Sequence, residues 1–156
     1  MKALLVLLLI ATPAAAREQI GIYKRWGTFR DATPTRCYAI ARPLMAGGRP
    51  TGFASVANWP KRGLRGSLHI RLSRERDRSA GVTLTIGERR FALVATGLDA
   101  WAADAPSDRA IVAAMRSARS MSVEAVGLGG RPFADVYALA GAATAIDAAM
   151  LACSGG

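Results

Sequence analysis

Hydrophobic and polar residues alternate most regularly between residues 66 and 95. Every second position there is aliphatic or aromatic, first over residues 66–74, then over 82–86 and, after a turn at Gly87, over 91–95. A period of two is typical of a strand with one buried face. The pattern predicts three successive antiparallel strands that share one core. That core comprises Leu68, Ile70, Leu72, Val82, Leu84, Ile86, Phe91 and Leu93.

Shorter segments of the same kind flank this stretch. Residues 19–31, 36–41 and 53–59 precede it, residues 120–126 and 133–139 follow it, and Gly and Pro lie between most of them. Short strands separated by turn residues favour a mainly β fold. We therefore expect a single β-rich domain, built as a β-sandwich or as open barrel-like antiparallel sheets.

Two segments have the period of a helix instead. The first should begin with Ser107 as its cap and end near Ala118. The second should begin at Thr144, three residues before an acidic residue in an arrangement that resembles a capping box. Its apolar stripe ends at Cys153 and would face the sheet that holds Cys37. The two short helices should cover an edge or an end of that sheet.

The N-terminus has the pattern of a secretory signal peptide. Lys2 precedes an aliphatic run from Ala3 to Ala11, and small residues lead to a cleavage site after Ala16. The run is too short to cross a bilayer, which takes about 20 residues. We expect residues 1–16 to be removed and residues 17–156 to be periplasmic, secreted or at the cell surface, with no transmembrane segment.

Export makes a disulfide the expected state of the two cysteines, Cys37 and Cys153. No C-x-x-C motif is present, and only His69 could join the cysteines as a zinc ligand, so the sequence predicts no metal site. Free thiols or a redox pair are the alternatives. Closing so long a loop would stabilise the fold by roughly 4–5 kcal/mol in chain-entropy models.

The charge is concentrated in the first part of the chain. The net charge is +10, and residues 17–97 contain 16 Lys and Arg against 5 Asp and Glu. A basic field of this kind attracts polyanions, and outside the cytoplasm these are lipopolysaccharide, acidic lipid or an acidic protein rather than nucleic acid. The alternative is an ordinary solvated face. The predicted contact surface is the arginine-rich run Arg62, Arg65, Arg71, Arg74, Arg76 and Arg78.

Little in the sequence points to catalysis. His69 is the single histidine, and strand alternation places it beside Arg71 on the wet face. Asp99 and Asp104 flank Trp101 in a predicted loop, and no Gly-x-Ser-x-Gly motif is present. The sequence predicts no catalytic residue and no cofactor. A small periplasmic hydrolase that uses these three groups is the alternative to a non-enzymatic interaction protein of the envelope.

The order of the C-terminal elements resembles the invasion-associated locus B family of alphaproteobacterial exported proteins. The segments that carry the resemblance are the 137–141 strand end, the short helix with Ala145 and Ile146, the terminal Cys153, the opening Trp26 and the 36–38 segment. The resemblance implies a β-rich periplasmic or surface protein with no established enzymatic activity and no catalytic residues. The family usually has a further cysteine shortly after the tryptophan. Phe29 and Arg30 stand there, so no second disulfide is expected.

Overall fold

A computed structural model of the chain describes residues 17–48 and 51–155, and the predicted signal peptide lies outside them. The described residues form ten strands, a short 3-10 helix at Pro60–Arg62, and two α-helices. The strands are β1 (Arg17–Tyr23), β2 (Trp26–Ala32), β3 (Thr35–Ala41), β4 (Phe53–Trp59), β5 (Leu64–Arg71), β6 (Val82–Ile86), β7 (Arg89–Thr96), β8 (Asp99–Ala102), β9 (Ser120–Val126) and β10 (Pro132–Ala138). The helices are α1 (Ala105–Ser117) and α2 (Ala142–Ala152). The predicted mainly β class with two helices is confirmed.

The strands join into one continuous antiparallel sheet in the order β1-β2-β3-β4-β5-β8-β7-β6-β9-β10. Of the two predicted arrangements, this is the open one. The far strand β10 also reaches back to the loop after β3, where the Val136 amide donates to the Met45 carbonyl at 2.8 Å. The sheet is therefore strongly curved, and its last strand lies beside the loop that follows its third.

The predicted hairpin of β6 and β7 is confirmed, but the expected pairing of β5 with β6 is wrong. β8 lies between β5 and β7, and the other edge of β6 pairs with β9. Gly97 adopts a left-handed conformation at φ 58°, so the chain reverses directly after β7. The short β8 then pairs with both β7 and β5. This arrangement brings Asp99 and Trp101 onto the sheet.

The helices cover one face of the sheet, and the core lies between them and the strands. Of the predicted core residues, all but Phe91 are buried, and Phe91 is half-buried against the same cluster. Trp26 is fully buried and its indole N–H donates to the Ala138 carbonyl at 2.9 Å. The buried Thr28 hydroxyl donates to the Ala145 carbonyl of α2 at 2.9 Å. We call the opposite side of β1–β5 and β8 the outer face.

Both helices begin earlier than predicted. Asp104, not Ser107, caps α1, because its carboxylate accepts the Ser107 backbone N–H at 2.7 Å. α2 begins two residues before Thr144, after Gly141 in a left-handed conformation. Any side chain at Gly141 would overlap the Tyr23 carbonyl, so glycine is required where the chain enters α2 against β1.

A disulfide joins Cys37 of β3 to Cys153 at the end of α2, at a sequence separation of 116 and with Cα atoms 5.8 Å apart. The expected bridge is thus present in the structure. Cys37 is fully buried, whereas Cys153 is only half-buried because it follows the last turn of α2. The bridge fastens the C-terminus of the described chain to the sheet.

Asp135 of β10 is a fully buried carboxylate. It accepts the backbone N–H of Gly47 at 2.9 Å, the backbone N–H of Ser73 at 2.8 Å and the Ser73 hydroxyl. A buried carboxylate is tolerated when donors satisfy it in this way. Asp135 therefore ties the loop after β3 and the end of β5 to the far edge of the sheet.

Candidate functional site

The six arginines of the predicted contact surface do not lie together. Arg62 and Arg65 are exposed where β5 begins, and Arg74 and Arg78 are exposed in the loop after β5 ends. Because a strand rises about 3.3 Å per residue, β5 separates these two pairs by more than about 20 Å. Arg71, at the end of β5, is engaged with Asp99. No single patch contains all six.

Arg76 is the clearest correction to the predicted surface. Only 9% of the residue is exposed. Its guanidinium donates to the carbonyls of Asp77 at 3.1 Å, Ala80 at 2.9 Å and Ala95 at 2.9 Å. Five donors in a planar fork allow one arginine to serve several carbonyls at once. Arg76 therefore holds the loop between β5 and β6 against β7, and it is not available to a partner.

A different set of cations comes together on the outer face of β3 and β4. The Arg36 guanidinium carbon lies 4.5 Å from the Tyr38 ring centroid and 5.2 Å from that of Trp59. Arg62 approaches Trp59 from the 3-10 helix at 5.0 Å, and Arg17 of β1 lies 5.8 Å from Tyr38. We call Arg17, Arg36, Tyr38, Trp59 and Arg62 the arginine–aromatic surface. A guanidinium stacked on a ring keeps its edge N–H groups free for phosphate or carboxylate.

One carboxylate, Asp31, partly balances this charge. Arg36 donates to it at 2.8 Å and Arg17 at 3.1 Å. Partial burial alone would raise the pKa of Asp31, but the hydrogen bonds from Arg36 and Arg17 outweigh burial and hold that pKa below its usual range. Asp31 is thus ionised at neutral pH and orients Arg36, while Arg62 forms no ion pair within the described part of the chain.

Sequence alternation could have found part of this surface, and register was needed for the rest. Arg36 and Tyr38 are two residues apart on β3, so they share a face. Trp59 lies near them because Ala57, two residues earlier on β4, pairs with Tyr38. The pairing of β4 with β5 is irregular between Ala57 and Trp59. The residues predicted from the sequence to form the contact surface did not include Arg17, Arg36 or Trp59.

The three groups of the hydrolase alternative are only partly brought together. His69 Nε2 lies 2.8 Å from Asp99 Oδ1, because β8 pairs beside β5. Arg71 donates to the same carboxylate at 3.0 and 3.2 Å. Asp104 instead caps the N-terminus of α1, and its hydrogen bonds with Ser107 lower the pKa of its carboxyl group. His69 was expected to be solvated beside Arg71, whereas it is one-third exposed and paired.

The surroundings of His69 resemble a packed aromatic cluster more than a catalytic site. Its ring stacks on Trp101 with centroids 5.4 Å apart and meets Phe53 edge-on at 5.2 Å. Ser55 lies opposite His69 on β4, but its hydroxyl is 3.4 Å from the His69 backbone carbonyl, to which it donates. A nucleophile must be within reach of the base itself. Among the described residues we find no hydroxyl hydrogen-bonded to the His69 ring.

Residues 17–48 and 51–155 contain no group of three or more His, Cys, Asp or Glu side chains arranged to hold a metal ion. Neither α1 nor α2 is long and apolar enough to span a bilayer. The cations and aromatic rings of the outer face are therefore the most distinctive chemistry in this part of the chain.

The fold and the bridge define a disulfide-closed, mainly antiparallel β protein with two helices on one face of its sheet. The model of the invasion associated locus B protein family matches residues 27–150, which is most of the chain. The chain belongs to this family, as its resemblance indicated. No curated protein matches it in a sequence search. The crystal structure of invasion associated protein B from Bartonella henselae is similar at 16% identity and a TM-score of 0.62. That similarity covers 85% of this chain and 96% of the other, and at such identity it demonstrates the fold alone.

Proposed function

We propose that this chain is an exported, non-enzymatic interaction protein of the bacterial envelope, and that it contacts an anionic partner through the arginine–aromatic surface. The family is named for an association with invasion, and a disulfide is typical of proteins outside the cytoplasm. The observation that carries the proposal is that the Arg36 guanidinium lies over both Tyr38 and Trp59, and that the Arg62 guanidinium lies over Trp59. The rings thus lie beneath the guanidinium groups, and N–H donors that are not engaged by Asp31 are available to an anionic partner.

The chemistry of this surface fits a phosphorylated partner. Arginine recognises phosphate through paired N–H donors, and its weak hydration lowers the cost of contact. Lipopolysaccharide phosphates and acidic lipid headgroups are the exported protein's candidate partners of this class. Such contacts lie at the protein surface, where salt screens charges over about 8 Å at physiological ionic strength. Binding should therefore weaken as salt rises.

The test compares two double variants that remove equal charge from different places. Arg36→Met with Arg62→Met removes the stacked pair, and Arg74→Met with Arg78→Met removes two exposed loop arginines that the sequence favoured. Each arginine near an anionic surface contributes about 1 kcal/mol. The first variant should thus lose about 2 kcal/mol, close to thirtyfold, in binding to vesicles that contain acidic phospholipid, measured at low salt.

The second variant should bind nearly as well as the parent, and vesicles of neutral lipid should bind neither. A larger loss in the loop variant would move the contact surface to the loop. Equal binding by all three proteins would contradict the proposal, because charge at neither place would then matter. Circular dichroism of each variant shows whether the fold is intact.

The hydrolase alternative is favoured by one observation, the 2.8 Å contact between His69 and Asp99. His69→Gln together with Asp99→Asn separates it from the proposal. If the variant keeps its fold and its binding to acidic vesicles but loses a cellular phenotype of the parent, the pair has a chemical role. If the phenotype is kept, the pair is a structural contact of the outer face.

A further inference from the structure

An open groove of about 900 Å³ lies on the outer face beside the arginine–aromatic surface. Its apolar wall consists of side chains that alternate outward from four neighbouring strands. The residues that form the wall are Ile22, Gly27, Phe29, Ile40 and Phe53. Phe29 also contacts Tyr38, with ring centroids 5.9 Å apart, so the groove is continuous with the stacked rings. Its volume is within the range of small-molecule sites, about 300–1,000 Å³.

The register of the sheet builds the floor of the groove. Gly27 of β2 lies between Ile22 of β1 and Ile40 of β3. A Cβ at Gly27 would lie 2.7 Å from the Phe29 ring and 3.2 Å from the end of Ile22. The missing side chain at Gly27 therefore makes room for the Phe29 ring and the end of Ile22, which pack over the backbone of β2 and give the groove its apolar surface. Ile22 is 57% exposed, so a ligand in the groove would remove a substantial apolar surface from water.

Cations are gathered at one end of the groove. Lys24 and Arg25 form the turn between β1 and β2, and Arg42 directly follows β3. Trp26, the residue after this turn, pairs with Ala41, so the three cations lie at the same end of their strands. Among the described residues that line the groove there is no carboxylate. Within the described residues, none of the three cations forms an ion pair.

We propose that this groove binds a single-chain anionic amphiphile, with its acyl chain on the apolar floor and its phosphate or carboxylate head among Lys24, Arg25 and Arg42. The layout argues for this occupant because one end of the groove is cationic and most of its remaining lining is apolar. An apolar peptide would leave the cations unmatched, and a free phosphate would leave the floor uncovered. The inference rests on the proposed function for the anionic class of ligand, but it uses different residues.

Dodecyl phosphate below its micellar concentration is the probe, and isothermal titration calorimetry is the measurement. Each methylene buried from water strengthens binding about fourfold, so decyl phosphate, which is two methylenes shorter, should bind about fifteenfold more weakly. Arg25→Gln with Arg42→Gln should weaken binding of the dodecyl probe by tenfold or more, and dodecyl maltoside, which is uncharged, should bind poorly. Inorganic phosphate alone should not displace the probe.

Ile22→Gln has a matched control in Val94→Gln. Both residues are exposed aliphatic side chains on strands of the sheet, at 57% and 55% exposure, but Val94 lies on β7 outside the groove. Ile22→Gln should weaken the binding of dodecyl phosphate severalfold, and Val94→Gln should leave that binding unchanged. Equal binding of the decyl and dodecyl probes, equal losses in both variants, or displacement by inorganic phosphate would overturn the proposal.

The two proposals fail separately. If the groove variants lose dodecyl phosphate binding but bind vesicles normally, the result supports the amphiphile site in the groove. The arginine–aromatic surface is then tested separately by the Arg36 and Arg62 variant. Chain-length dependence without any binding to acidic vesicles would reject the proposed function and retain the groove. Vesicle binding that depends on Arg36 and Arg62, with no chain-length dependence in the probe, would reject the groove and retain the proposed function.

Discussion

Replacing Arg76 by Met should destabilise the protein, although its sequence context, between Glu75 and Asp77, is that of a solvated residue. The substitution keeps a long apolar stem of similar reach and removes every donor. Three carbonyls lose their charged partner, at 2.9 to 3.1 Å, and one of them belongs to Ala95 in β7. A hydrogen bond to a charged group contributes about 1.5–3 kcal/mol.

The free-energy contributions of the three hydrogen bonds are not additive. Two of the carbonyls belong to a loop, and water can replace the guanidinium as their hydrogen-bond donor in the variant. Only the Ala95 carbonyl and the packing of the loop against β7 are lost in full. We therefore expect a loss of about 2–3 kcal/mol in the free energy of unfolding. For a domain of this size that corresponds to a fall of roughly 6–10 °C in the melting temperature.

Arg78→Met is the matched control. Arg78 lies two residues after Arg76 and its side chain is exposed, so the substitution removes the same charge without removing a buried contact. It should change the free energy of unfolding by no more than about 0.5 kcal/mol. Urea unfolding followed by circular dichroism measures both variants. If Arg76→Met and Arg78→Met were equally stable, the guanidinium of Arg76 would not be holding the loop, and its assignment as a structural residue would be wrong.

Further predictions concern the bridge and two carboxylates. Serine at both Cys37 and Cys153 should cost about 2–5 kcal/mol in urea unfolding, because the bridge closes a long loop in the unfolded chain; stability unaffected by reductant in the parent would count against a clamp. Asp135→Asn should cost about 2–4 kcal/mol, since the buried carboxylate accepts from three donors, whereas Asp147→Asn, in an exposed ion pair, should cost at most about 1 kcal/mol. The lowered pKa of Asp31 implies stabilisation that is complete above the unfolded pKa near 4 and is lost as pH falls through the folded value. The stability difference between the parent and Asp31→Asn should therefore shrink in acid, and a difference independent of pH would refute this.

The buried faces of the strands could be read from the sequence because burial follows a local rule. In β5 and β6, every second residue is apolar, and these residues fill the core. The end of α1 near Ala118 could be read for the same reason. Period and capping chemistry act over a few residues, so a single sequence contains the information that decides them.

Strand order could not be read in this way. β8 is only four residues long and contains Asp99 and Trp101, a composition that favours a loop. It becomes a strand because Gly97 allows the chain to reverse tightly after β7. β8 then forms backbone hydrogen bonds with one edge of β7 and one edge of β5. The contact between His69 and Asp99 follows from that pairing. Thirty residues separate the two along the chain, and no local pattern connects them.

The candidate site was missed for a related reason. Counting charge along the sequence favoured Arg74 to Arg78 because they are dense there, but density along the chain is not density in space. One of these arginines turned inward to carbonyls as many as 19 residues away. Arg36 and Arg62 are 26 residues apart in the sequence and meet on Trp59 through the register of β3 and β4.

The indole N–H signals of the three tryptophans offer the most direct test of the proposed contact surface. Trp26 is fully buried, Trp59 belongs to the arginine–aromatic surface, and Trp101 stacks on His69. In a titration of ¹⁵N-labelled protein with small vesicles or nanodiscs that contain acidic phospholipid, the Trp59 signal should shift or broaden first. The Trp26 signal should stay unchanged, and added salt should reverse the effect. A titration in which Trp59 is unaffected while the protein binds, or in which neutral lipid has the same effect, would contradict an anionic contact through this surface.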